Sequence, residues 1–190
     1  MEYALFLRQH IDHVIQLTDE EFEEVKQYFT LVRVPKKNML LNCNEQVSKE
    51  YLVVQGCMKL FTYDEAGKEY IMQFAMENWW ISDYPAYQNQ TLSTTCIQAL
   101  EDCIVLELPF TDKEILLQKI PKMNVFFGKK SFGGFVALQK RVLSLLKNSV
   151  AEKYELLLLQ YPELFQRVSK TMIAHYLGVS RETLSRLHKK

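Results

Sequence analysis

Apolar positions along the chain change period twice, and each change predicts a new kind of element. In residues 5–29, Leu5, Phe6, Ile11, Val14, Ile15 and Leu17 fall at helical spacing. Thr18 to Glu21 then form a capping box that opens a second helix running through Phe29. From Leu31 the period shortens. The segments 31–34, 39–41, 50–54, 58–63, 69–74, 94–99 and 103–108 are short and rich in β-branched and aromatic residues, with turn residues such as Gln55-Gly56 and Asp64 to Gly67 between them. Strands at this spacing predict a closed or sandwiched antiparallel β-structure and argue against alternating βαβ units.

The helical period returns after Pro109. Thr111 to Glu114 reads as another capping box for a short helix through Lys119, and Pro121 suits the first position of a long helix to about residue 148. Val125, Phe132, Phe135, Leu138, Val142 and Leu145 make one apolar stripe on it. Phe126, Phe127, Val136, Leu143 and Leu146 widen that stripe beyond what one neighbour needs. The helix is therefore expected to pack on the β-domain on one side and on a second subunit on the other, with Phe132, Phe135, Leu138, Val142 and Leu145 at the dimer interface. Gly128, Gly133 and Gly134 each cost such a helix about 1 kcal/mol relative to Ala, which predicts either a close backbone approach or a kink.

A further amphipathic helix over 151–161 leads to a terminal hairpin. Met172, Ile173, Tyr176 and Leu177 recur helically and stop at Gly178. Ser180 can cap a second helix that turns Leu184 and Leu187 inward and Arg181, Arg186, His188, Lys189 and Lys190 outward. With a small Ala174 where the two helices meet, this reads as a helix-turn-helix. An ordinary helical hairpin closing a core is the bland reading of the same pattern. Charge separates them: residues 167–190 hold six Lys or Arg against one acid, a surplus that suits phosphate and that packing does not need.

The same polarity divides the whole chain. Residues 1–116 hold nine positive and nineteen negative groups, and residues 117–190 hold fourteen and four, so a net charge of zero conceals halves of −10 and +10. At 190 residues and 48% apolar, the chain can bury a sizeable core. With no run of eighteen apolar residues and no signal-peptide pattern, a cytoplasmic protein without a membrane segment is expected. Cys43, Cys57, Cys96 and Cys103 show neither C-x-x-C nor paired-His spacing, so they are expected to be small buried apolar groups, with no metal site and no iron–sulfur cluster.

The order β-barrel, long apolar helix, connecting helix, helix-turn-helix resembles the Crp/Fnr family of bacterial transcription regulators. Tyr51 to Gly56, Met58 to Phe61 and Asp64 to Glu69 are similar to that family's cyclic-nucleotide-binding jelly roll. Tyr161 to Val168 and Ile173 to Arg186 are similar to its DNA-binding end. The resemblance implies an α+β fold with a cyclic-nucleotide-binding-like effector domain over 1–116, a dimerisation helix over 117–149 and a helix-turn-helix domain over 150–190. It implies double-stranded DNA, a second copy of the chain and RNA polymerase as partners, and Arg181, Glu182 and Arg186 as base readers. Arg matches guanine O6 and N7 with a bidentate fork and Glu accepts from cytosine N4. Ser180, Lys170 and Thr171 are the expected phosphate contacts, and Lys189 is a further expected DNA-binding residue.

Two departures from the family pattern matter. Where relatives that bind cyclic AMP carry Gly-Glu and later Arg-Ser or Arg-Thr, this chain reads Trp79 to Asp83 and Thr91 to Cys96, and no Arg occurs from 34 to 140. The charge-assisted fork for a phosphate is missing, and Asp83 adds negative charge, so no cyclic AMP binding is expected. Trp79, Trp80, Ser82, Asp83, Ser93 and Thr94 then become the candidate lining of an altered pocket for an unknown small-molecule effector, with a core role for the aromatics as the alternative. The sequence also stops at Lys190, directly after the recognition helix, so the helix-turn-helix is expected without a complete wing. An enzyme of cupin type is not expected, because His10, His13, His175 and His188 all lie outside the barrel. A ligand-sensing β-barrel whose helical C-terminus binds a protein is the remaining rival.

Overall fold

A computed structural model describes residues 2–187. Eight strands pair from the outside of the barrel sequence inward: β1 (Thr30–Val34), β2 (Met39–Leu41), β3 (Lys49–Gln55), β4 (Met58–Tyr63), β5 (Glu69–Ala75), β6 (Trp80–Ile81), β7 (Cys96–Ala99) and β8 (Cys103–Pro109). They form two four-stranded sheets ordered β1-β8-β3-β6 and β2-β7-β4-β5. First thus lies beside last, second beside seventh, third beside sixth and fourth beside fifth, the wrapping of a jelly roll. Antiparallel register is fixed by pairs such as Val32 with Val105 and Leu52 with Trp80. The ladder shifts between Val53 and Gln55. Gly56 follows at φ +103°, and a Cβ there would lie within 3 Å of Cys103 Sγ and Cα, so only glycine fits.

Alternation along β3 and β8 builds two cores. Val53, Val105, Val34, Leu41, Met58 and Ile97 fill the space between the sheets. Leu52, Leu106 and Leu108 point the other way, into a layer with Leu7, Ile11, Val25, Leu116 and Phe126. With both faces of its sheet covered, β3 reads as the continuous apolar run Tyr51-Leu-Val-Val54. The covering helices are α1 (Glu2–Asp12), α2 (Asp19–Lys26), α4 (Phe110–Lys119) and the start of α5 (Lys122–Lys147). Between β6 and β7 lies α3 (Tyr84–Asn89), and α6 (Val150–Gln160), α7 (Leu164–Arg167), α8 (Lys170–Tyr176) and α9 (Arg181–Leu187) follow α5. Among the described residues, no helix is long and apolar enough to cross a membrane.

Local capping follows the sequence in some places and departs from it in others. Thr18 and Glu21 make the reciprocal capping box of α2. Thr111 does not open α4. That helix begins at Phe110 behind Pro109, which makes no side-chain cap, and Thr111 lies inside the first turn. Pro121 immediately precedes α5. Ser149 and Glu152 form a capping box on α6 that the hydrophobic pattern does not reveal. The close approach expected at Gly128, Gly133 and Gly134 is not made within the chain: a Cβ at each would meet open space, and α5 runs through all three as one helix.

The chain divides into two compact units, Met1–Leu60 with Phe74–Gly133, and Phe61–Gln73 with Gly134–Lys190. The first holds most of the barrel and its helical cover. The second holds the β4–β5 hairpin tip, the later half of α5 and helices α6 to α9. The cysteines correct the expectation of four equivalent buried thiols. Cys57 and Cys103 are buried and stand outside any disulfide, whereas Cys43 and Cys96 are joined as one, with Cα atoms 4.8 Å apart.

Candidate nucleic-acid interface and the closed barrel site

Gly178 determines the geometry of the terminal hairpin. At φ +73° it ends α8 in the left-handed region. The amide of Gly178 donates to the His175 carbonyl and that of Val179 to the Ala174 carbonyl, at 3.3 and 3.0 Å, the paired bonds of a Schellman motif. Ser169 caps the other end of α8, accepting from the Met172 amide at 3.2 Å. Ser180 caps α9 by accepting from the Thr183 amide at 3.2 Å. Ile173, Ala174, Leu177 and Leu184 are buried between the helices, and the fully buried Ala174 gives the room for their approach.

With those groups inside, α9 turns Arg181, Glu182, Ser185 and Arg186 to solvent; Ser180 and Lys170 are also exposed, and Thr171 is half-buried. Lys189 lies outside the described residues, and nothing is described of the Leu187 side chain. The Glu182 carboxyl titrates below its usual range, held there by its own amide and the Ser180 hydroxyl, with Arg181 and Arg186 adding positive charge. It therefore stays ionised beside two guanidinium groups. An exposed Arg, carboxylate, Arg constellation on one short helix has the donor and acceptor set that reads base edges.

Arg141 ties α8 to the hairpin tip within the same unit. Its guanidinium donates to the carbonyls of Ile71, Met72 and Tyr176, and lies 3.9 Å over the Tyr176 ring. His175 Nδ1 lies 3.2 Å from a Glu69 carboxylate oxygen. In the sequence Arg141 is only one of the positive charges of residues 117–190; its half-buried position and its carbonyl partners are tertiary.

In the barrel unit, the residues marked as an altered pocket gather around Asp83. This carboxylate, 2% exposed, accepts five hydrogen bonds. One oxygen takes the Ala86 amide at 3.2 Å, capping α3. The other takes the Thr94 amide and hydroxyl at 3.0 and 3.3 Å and the Thr95 amide and hydroxyl at 3.1 and 2.8 Å. Burial pushes the Asp83 pKa up, but the bonds from Ala86, Thr95 and Thr94 outweigh it and hold the group below its usual value. Ser82 donates to the Lys49 carbonyl and Ser93 to that of Asn42, both at 2.9 Å.

The aromatics beside this cradle are packed. Trp80 meets Phe29 and Phe127 and donates its indole N–H to His10, and Trp79 lies against the inter-sheet core. A cavity of about 400 Å³ exists elsewhere in the barrel, lined by Arg33, Asn38, Glu45, Lys49, Tyr51 and Glu107 among others, and by none of Trp79, Trp80, Ser82, Asp83, Ser93 or Thr94. The role of Thr95 went unread because a Thr followed by Cys carries no local signal; only the fold sets it on Asp83.

Residues 31–119 match the family profile described as cyclic nucleotide-binding domain. The chain is 25% identical over 165 residues to the anaerobic regulatory protein of Aggregatibacter actinomycetemcomitans, covering 81% of this chain and 63% of that relative, less than two thirds of its length. It is 22% identical over 185 residues to the cAMP-activated global transcriptional regulator CRP of Salmonella typhimurium, covering 90% of this chain and 87% of that protein. Among solved structures, the c-di-GMP responsive global regulator CLP of Xanthomonas campestris shares the fold with a TM-score of 0.74 at 14% identity, over 90% of each chain. FixK2 of Bradyrhizobium japonicum does so with a TM-score of 0.73 at 17% identity, over 85% of this chain and 83% of that one. Among the described residues, a jelly roll of eight strands, one long helix and a Schellman-closed helix-turn-helix thus coincide with similarity, along most of the chain, to bacterial regulators such as CRP and the anaerobic regulatory protein.

Proposed function

We propose that this chain is a sequence-specific, double-stranded-DNA-binding transcription regulator that acts as a homodimer in the cytoplasm, without enzymatic activity and without a cyclic nucleotide. The observation that carries the reading is α9: Arg181, Glu182 and Arg186 all stand in solvent on a helix locked to α8 by Gly178. Two such helices, related by a two-fold axis, enter successive major grooves roughly 34 Å apart.

The dimer rests on α5. Phe132, Phe135, Leu138, Val142 and Leu145 are exposed, Phe132 by 68%, and so are Leu143 and Leu146. So large an apolar stripe is a contact surface in a folded regulator, and the open space at the three α5 glycines leaves room for a partner helix. RNA polymerase is the further partner that a regulator of this family engages.

Two observations support the absence of a cofactor. The donors that could hold a phosphate over residues 94–95 are already committed to Asp83, which leaves a cyclic phosphate facing a buried carboxylate. An iron–sulfur cluster needs thiolates gathered at one place, and among the described residues no group of three or more Cys, His, Asp or Glu is gathered so as to hold a metal. An effector, if the barrel takes one, is a different small molecule.

The test is a mobility shift on a random duplex over a salt series, followed by selection of bound sequences from a random pool. A salt-dependent shift and a two-fold-symmetric selected site are expected. No shift at low salt, with capture of a protein partner by the C-terminal helices, would instead establish the ligand-sensing module.

A further inference from the structure

Disulfides in proteins of a thiol-reducing compartment are usually transient, formed and broken as signals. The Cys43–Cys96 bond sits where such a signal has something to act on. Cys43 lies in the turn after β2 and is half-buried; Cys96 opens β7 and is buried. Just before Cys96 runs the segment Ser93-Thr94-Thr95, which carries the four donors on one oxygen of Asp83. The geometry points to Cys43 and Cys96 as a reversible thiol–disulfide modification site, oxidised by a peroxide and reopened by a dithiol, that sets how tightly residues 93–96 are held over Asp83.

Three features make the site specific and reversible. First, the two segments are held together by more than sulfur. The Ser93 amide donates to the Glu45 carbonyl at 2.8 Å, the Ser93 hydroxyl to the Asn42 carbonyl at 2.9 Å, and the Asn44 amide to the Ser93 carbonyl at 3.0 Å. After reduction these bonds keep the thiols near each other, so closure remains an intramolecular step at high effective concentration. Second, Cys43 is the only one of the four cysteines that is not buried, which makes it the sulfur that a peroxide reaches. Third, Cys96 is already placed to resolve the product.

The chemistry closes without a further reactant. The Cys43 thiolate attacks one peroxide oxygen, the O–O bond breaks, and hydroxide leaves as water with a proton, giving a sulfenic acid. The Cys96 thiolate then attacks the Cys43 sulfur. The S–S bond forms, the S–O bond breaks, and the second hydroxide takes a proton and leaves as water. Two thiols lose two electrons and one peroxide becomes two waters. In the return direction a dithiol attacks one sulfur, passes through a mixed disulfide, closes on itself and leaves both cysteines protonated.

This inference rests on the proposed function only in placing the chain where thiols are kept reduced, and its test uses no DNA. The full chain is reduced with dithiothreitol, freed of it and treated with one equivalent of hydrogen peroxide. Two of the four thiols should disappear, the mass should fall by two hydrogens, and peptide mapping should join Cys43 to Cys96. Amide exchange at Thr94 and Thr95 should slow on the order of tenfold. Dithiothreitol should restore all four thiols. Cys43→Ser should abolish the change and Cys57→Ser should leave it intact. If Cys43→Ser does not fold, limited alkylation of the reduced parent decides instead, with Cys43 modified first as the expected result. Thiol loss at Cys57 or Cys103, a bond that resists dithiothreitol, or equal exchange at Thr94 and Thr95 in both states overturns the proposal. A random-duplex shift run in parallel reads the DNA reading independently of the thiol result.

Discussion

Two clusters of polar side chains in this protein have opposite fates. Around Asp83, a buried carboxylate is matched to donors within the chain, those of Ala86 and Thr95 buried and those of Thr94 at the rim. On α9, Arg181, Glu182 and Arg186 are in solvent with much of their hydrogen-bonding capacity directed outward. Buried polar groups must be satisfied to avoid their desolvation cost, so a satisfied cradle contributes stability and has little left for a ligand. Exposed groups contribute little to stability and keep their capacity for a partner. The difference separates the two clusters experimentally: perturbing the barrel should change folding, and perturbing α9 should change recognition.

The largest effect belongs to the disulfide. It closes a loop of 53 residues in sequence, and opening it should lower the unfolding free energy by ~4 kcal/mol from the lost constraint on the unfolded chain. Denaturant midpoints of oxidised and reduced protein check this. A midpoint unchanged by reduction would remove the disulfide from the stability of the closed half.

Next comes His10, one of several buried polar groups in the barrel unit. Trp80 Nε1 can only donate, so at 3.1 Å it requires a lone pair on His10 Nε2, which leaves Nδ1–H to donate to Asn78 at 3.0 Å. Burial lowers the His10 pKa from 6.5 to about 4, with Lys130 adding to the shift. A folded pKa below the unfolded one gives a contribution that is full above pH 6.5 and is lost as pH falls toward about 4. The loss across that window should be ~3 kcal/mol. His10→Gln, which does not titrate, should flatten this part of the stability profile measured by denaturation; an unchanged profile would assign the acid loss to other groups.

These two features were not legible in the sequence, for a physical reason. Cys43 and Cys96 are 53 positions apart, and His10 meets Asn78 and Trp80 across about seventy. Neither pairing leaves a periodic or local trace. Seven of the strands and the terminal hairpin are legible because their causes are local: turn residues between short β-rich runs, Gly178 after an apolar run, and Ser180 as a cap; β6, two residues long at Trp80–Ile81, has no such run and is not predicted. Helix α3 was missed because six residues do not establish a period, and its cap, Asp83, was read as a ligand group. The missing Arg was visible between 34 and 140, but only the fold shows that Asp83 occupies the donors of Thr94 and Thr95.

Asp83→Asn tests the closed cluster directly. An amide presents NH₂ where Thr94 and Thr95 donate, so about 2 kcal/mol of stability should be lost at neutral pH. Because the folded pKa of Asp83 is depressed, its contribution is present above the unfolded pKa and lost as pH falls through the folded one. The variant should therefore approach the parent in stability as pH is lowered, and DNA contacts should be unaffected at a temperature where both are folded. A stability gap that persists through acid titration would mean that packing, and not the carboxylate's charge, is what the cradle needs.

On the open cluster, Arg181→Ala and Arg186→Ala should each cost about 1–3 kcal/mol at a cognate guanine while leaving the denaturation midpoint within ~0.5 kcal/mol of the parent. Equal losses on selected and random duplexes would take base reading away from these residues.

Lys170→Ala should be the smallest effect and the sharpest division within the open half. Lys170 is exposed at the first position of α8, which makes it a point charge for a phosphate and gives it no base edge to read. Its loss should weaken selected and random duplexes by the same factor and reduce the slope of log K against log salt by ~1, the signature of one phosphate contact and its released counterion. The ratio of selected to random affinity should stay constant, unlike that of the Arg variants. A changed ratio would place Lys170 among the base readers, and an unchanged slope would place it off the DNA, so the salt series assigns the residue whichever way the affinity moves.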